Sequence, residues 1–129
     1  MPRDYRKLRV FALADRLVLD AYRVSAVFRR SEQYGLQTQL RRAAVSAVAN
    51  IVEGSARLST REYVNFLNIA SGSATETYYL VYLSGRLGLL AEPDAVRLAS
   101  GYSELSAGLR AMIQALRDAP DLRERSHKA

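Results

Sequence analysis

Cysteine and tryptophan are absent from this 129-residue chain, histidine occurs once, and proline occurs three times. Without cysteine there is no disulfide framework and no thiolate metal site, and the composition suits a reducing cytoplasm. The single histidine, His127, lies in a polar C-terminal stretch, where it cannot act as the fixed base of a nucleophilic triad. Glu53, Glu62 and Glu76 have no imidazole beside them, so the Glu-x-x-His arrangement of di-metal bundles is missing. Gly72, Gly85 and Gly88 are isolated glycines without the spacing that presents successive N–H groups to a phosphate. No uncharged apolar run approaches the ~18–20 residues of a membrane span, and no secretory leader opens the chain. These absences point to a cytoplasmic, non-enzymatic protein with no cofactor, no metal and no membrane partner.

What is present is charge of one sign, unevenly placed. Nineteen Lys and Arg stand against thirteen Asp and Glu, a net charge of +6. Residues 29–61 carry six arginines against Glu32 and Glu53, whereas residues 62–116 carry three arginines against five acids. A basic N-terminal half suits a polyanion or the acidic half of a neighbouring copy. Ordinary solvated arginines are the plain alternative.

The strong period is helical. Phe11, Ala14, Leu17, Ala21, Val24 and Phe28 recur at spacings of three and four, and Leu36, Leu40, Ala44, Ala47 and Ile51 do the same. Ser59-Thr-Arg-Glu62 has the form of a capping box and opens a third segment that Gly88 closes. Pro93 sits in the first turn of a fourth, where a missing N–H is harmless. Its apolar seam is Leu98, Tyr102, Leu105, Leu109, Met112 and Leu116. Four amphipathic helices with short connections predict an all-α, antiparallel up-down-up-down four-helix bundle over residues 1–117. Residues 118–129 lose the period and read as a frayed polar tail.

The second helix offers more than one face. Val45, Val48 and Val52 form a second apolar strip, away from the face of Leu40 and Ile51. A wide core stripe explains it; contact with another subunit explains it better, because exposed apolar strips are a liability. Gln39, Ser46, Asn50 and Glu53 line a polar strip that should be ordered and hydrogen-bonded. Tyr63, Tyr78, Tyr79, Tyr82 and Tyr102 read as amphipathic packing residues rather than base-stacking platforms. The candidate binding residues are Arg29, Arg30, Arg41, Arg42, Arg57 and Arg61, because arginine clusters neutralise backbone phosphates without reading sequence. The pairs near helix ends are expected to approach each other or their copies in neighbouring subunits.

The run from Glu32 to Gly54, with Gln39-Leu-Arg41-Arg42 and Asn50-Ile-Val-Glu53-Gly54 within it, resembles a known signature. It is that of the small four-helix proteins first noticed in intervening sequences of bacterial 23S rRNA genes. Leu8, Phe11, Glu62-Tyr63, Phe66-Leu67, Gly72-Ser73, Glu76 and Leu87-Gly88-Leu89-Leu90 extend the likeness over about residues 4 to 117. Two departures stand out: Arg29-Arg30 replaces the Phe-Pro of many relatives, and Ala47-Val48 replaces an Ile-Pro. The family is similar to the accessory variability proteins of diversity-generating retroelements. That likeness implies a basic, barrel-like homopentamer that binds RNA or DNA and a reverse transcriptase. A protein-binding scaffold with no nucleic-acid activity of its own is the alternative.

Overall fold

A computed structural model describes residues 3–119. Four helices fill it: α1 (Arg9–Ser25), α2 (Leu36–Ser55), α3 (Thr60–Arg86) and α4 (Glu92–Asp118). Two single 3-10 turns, Tyr5–Lys7 and Arg30–Glu32, precede α1 and α2, and no strand occurs among the described residues. The expected tail lies outside those residues from Pro120 on, with His127 in it; Asp118 still ends α4.

Local chemistry sets the helix ends. The Ser59 hydroxyl accepts the Glu62 amide at 3.1 Å, so the first half of the predicted capping box is in place. Gly88 adopts φ +74°, and the Leu89 amide donates back to the Ser84 carbonyl at 2.9 Å, the closure that a left-handed glycine permits. Pro93 stands in the first turn of α4.

The packed pairs run in opposite chain directions around the whole bundle. Gly54 meets Phe66 while Ser46 meets Ser73, so α2 and α3 are antiparallel. Gly85 meets Ala95 while Thr75 meets Ser106, which makes α3 and α4 antiparallel as well. Asp20 against Arg97 and Val10 against Gly108 relate α1 to α4 in the same sense. Gln37 on Ser25 and Arg41 on Tyr22 complete the ring between α1 and α2.

The core follows the sequence stripes with one shift. Leu17, Leu40, Ile51, Leu67, Leu98, Leu105 and Leu109 are buried, and so are the rings of Tyr63 and Tyr102. At the far end of α4, however, Ile113 is buried in place of Met112, which is only half-buried beside it. A straight helix drifts by about 20° per heptad, so two heptads beyond Leu98 Met112 and Ile113 lie about equally near the inward line, and Ile113 takes the buried place.

Candidate nucleic-acid interface

The six arginines do not form one patch within a subunit. Arg29 and Arg30 lie in the connection before α2, at the same end as the α3–α4 connection, where Arg29 Nη2 donates to the Leu87 carbonyl at 3.5 Å. Arg57 and Arg61 flank the α2–α3 turn at the other end. The twenty residues of α2 separate the two groups by about 30 Å. The approach of these pairs expected from the sequence is therefore not available inside one bundle.

Neighbouring arginines have opposite fates. Arg41 turns inward to α1, donating from Nε to Ser25 Oγ at 2.9 Å and from Nη2 to the Tyr22 carbonyl at 3.0 Å. Its guanidinium also lies 4.4 Å from the Tyr22 ring centre. With Gln37 on the Ser25 carbonyl at 2.8 Å, it satisfies the carbonyls that the end of α1 leaves open. Arg42, one residue and about 100° further round, is exposed. Arg57 pairs with Glu53 one turn before it and stacks 4.9 Å from the Phe66 ring. Its Nη2 is thus engaged, while its Nε is buried without a hydrogen-bond partner among the described residues. Arg29, Arg30, Arg42 and Arg61 are exposed, and none has a carboxylate within 4 Å among the described residues.

Sequence reasoning passed over other cations. The Arg3 amide donates to the Ser55 carbonyl at 2.9 Å, and its Nη1 donates to the Arg57 carbonyl at 3.2 Å. Arg3 therefore closes the end of α2 as Arg41 closes α1, with its guanidinium 4.1 Å from the Tyr63 ring centre. Arg117 joins Arg61, Ser59 and Asn65 around a cleft at the same end. Only the folded bundle makes these neighbours, since Arg61 and Arg117 belong to opposite ends of the chain segment from α3 to α4.

The polar strip of α2 divides as well. Ser46 and Ser73 share a 2.7 Å hydroxyl hydrogen bond that joins α2 to α3. The Asn50 amide donates to the Ser46 carbonyl at 2.8 Å and to Ser46 Oγ at 3.1 Å. Glu53 holds Arg57, whereas Gln39 is exposed. In the valine strip, Val48 is half-buried against the core and Val52 half-buried, while Val45 remains 41% exposed.

The sequence profile of the 23S rRNA-intervening sequence protein family matches residues 6–111. The chain belongs to that family. A protein of unknown function from the S23 ribosomal protein family of Bacteroides thetaiotaomicron is similar to it in structure. The TM-score is 0.75 at 22% identity, over 81% of this chain and 97% of the other. That likeness establishes the four-helix fold. No curated protein matches the chain. In this 23S rRNA-intervening sequence protein the Arg29-Arg30 departure places two exposed cations in the connection before α2. The second departure, Ala47-Val48, lies within an α2 that runs unbroken from Leu36 to Ser55.

Proposed function

We propose that this protein is a non-catalytic, self-associating nucleic-acid-binding accessory protein whose exposed arginines hold backbone phosphates. The observation that carries this reading is the group Arg29, Arg30, Arg42 and Arg61: four exposed guanidinium groups without a carboxylate partner among the described residues. Surface arginines that serve stability are usually paired or stacked, as Arg41 and Arg57 are here. Four per subunit make a weak site, which repetition around an oligomer strengthens through avidity. Self-association is supported by Val45, which is open on the outer side of α2. The likeness to retroelement accessory proteins extends the reading to a pentamer with a reverse-transcriptase partner.

Salt-titrated filter binding on structured RNA and duplex DNA tests it. Binding should be sequence-independent, and a complex that neutralises about six phosphates loses roughly a thousandfold in affinity between 50 and 200 mM salt. Changing Arg29, Arg30, Arg42 and Arg61 together to Gln should weaken every sequence alike and flatten the salt slope, with the melting temperature unchanged. Arg41→Gln should do the reverse, costing about 1 kcal/mol of stability through its lost bonds to α1 while leaving binding intact. Retention of neither nucleic acid at 50 mM salt would favour the scaffold alternative.

A further inference from the structure

The tyrosines split into two groups that the sequence treats alike. Tyr63 and Tyr102 are core residues, and burial raises both hydroxyl pKa values. Tyr78, Tyr79 and Tyr82 are instead 40%, 53% and 48% exposed on the C-terminal half of α3. They fall on one helical stripe, since residues three and four apart are surface neighbours, and Arg86 continues it one turn beyond Tyr82. The Arg86 guanidinium already stacks on the Tyr82 ring, 5.3 Å from its centre. At the other end, Tyr78 shares a groove between α3 and α4 with Thr75, Ser103, Ser106 and Arg110, and no carboxylate lines it.

We infer that this stripe is a stacking surface for unpaired bases, so that the nucleic acid the protein takes is single-stranded where it crosses α3. This rests on the nucleic-acid reading above and adds the substrate class. Three tyrosines within five residues are a poor choice for a solvated helix face, and large exposed aromatics mark a contact. Charge decides which contact. Arginines stand at both ends of the stripe, and hydroxyls of Ser103 and Ser106 lie beside it. Two copies packed face to face would set four arginines against only two carboxylates, the exposed Glu76 of each copy, whereas a strand brings phosphates to the arginines and flat rings to the tyrosines. From Tyr78 to Arg86 is about 12 Å along the helix, room for roughly three stacked nucleotides. A duplex hides its base faces and gains nothing from the rings.

The test compares a 20-nucleotide oligo(dT) with a 20-base-pair duplex by fluorescence anisotropy at fixed salt. Changing Tyr79 and Tyr82 together to Ala should weaken oligo(dT) binding by about tenfold or more and leave the duplex within twofold. Changing the same pair to Phe keeps the rings and should keep the affinity within twofold. Equal losses on both probes, or no loss on either, overturn the stacking surface and leave the phosphate-binding reading standing. Failure of the parent protein to bind either probe overturns both. A fall in light-scattering mass on the Ala change would assign the stripe to a subunit contact and overturn the inference.

Discussion

The seam between α1 and α4 and the seam between α2 and α3 solve one packing problem with different chemistry. Along α1–α4, Leu17 packs into the space left open at Gly101, and Val10 lies against Gly108. A charged clamp closes the outside: Arg97 donates to Asp20 from Nε at 2.9 Å and from Nη2 at 3.1 Å, and reaches Asp94 at 2.8 Å. Along α2–α3 five alanines, Ala43, Ala44, Ala47, Ala70 and Ala74, are buried among the larger core residues, and hydroxyls replace the charges. The first seam is fastened by groups that titrate. The second is fastened chiefly by close approach and by hydroxyl hydrogen bonds.

The glycines sharpen that contrast. A methyl group at Gly54 would stand 2.8 Å from Phe66 Cβ and 3.2 Å from the Tyr63 ring. Cβ is fixed to the backbone, so α2 and α3 would have to part. A methyl at Gly101 overlaps the Leu17 side chain more deeply, but it meets the free end of a flexible chain that can turn aside. We expect Gly54→Ala to cost about 2 kcal/mol by chemical denaturation. For Gly101→Ala the loss is smaller, because the helix propensity gained, about 0.5–1 kcal/mol, offsets the rearrangement. A larger loss at Gly101 would reverse the assignment of the rigid seam.

The charged clamp carries the next effect. Hydrogen bonds from Arg97 above all, with help from Arg23, hold the Asp20 carboxyl below its usual pKa. The folded state therefore keeps Asp20 ionised at a pH where the unfolded chain already binds a proton. Its contribution to stability is present above about pH 4 and is lost as pH falls through the lowered folded value. Asp20→Asn should cost about 1 kcal/mol at pH 7, since Asp20 is largely covered while Arg97 faces solvent. Urea unfolding of both proteins from pH 7 to pH 3 checks this: the gap should close towards the acid end. A gap that stays constant would mean that the clamp works by shape and not by charge.

These seams also mark what the sequence could disclose. Periodicity located four helices, and local chemistry at Ser59, Gly88 and Pro93 located three of their ends, because those signals act within a few residues. The exchange of Met112 for Ile113 shows how a heptad reading loses phase along a 27-residue helix. Site residues were harder, for a geometric reason. Arg41 and Arg42 are adjacent and alike, and their separation into a clip and an exposed cation depends on where α1 stands around α2. The same holds for the tyrosines: Tyr63 and Tyr102 are inside, but Tyr78, Tyr79 and Tyr82 face out once α3 is flanked on two sides. Arg3 and Arg117 gain meaning only from neighbours distant in sequence, Ser55 and Arg61.

The smallest expected effect has the opposite sign. Gly72 lies in the interior of α3, exposed, and a methyl built on it meets nothing within 4 Å. It is the counterpart of Gly54, a glycine whose Cβ would cost no packing. Its present cost is backbone entropy, because glycine surrenders more freedom than alanine when a helix forms. Gly72→Ala should therefore stabilise the protein by about 0.5–1 kcal/mol, read as a higher denaturation midpoint at unchanged slope. Ser73 beside it keeps its bond to Ser46 in either case, so the α2–α3 seam is not disturbed. If Gly72→Ala destabilises instead, the outer side of α3 at this point must be covered, and the cover has to come from outside the bundle. The same variant then gives the location of a subunit contact, and a change in its light-scattering mass would accompany the loss.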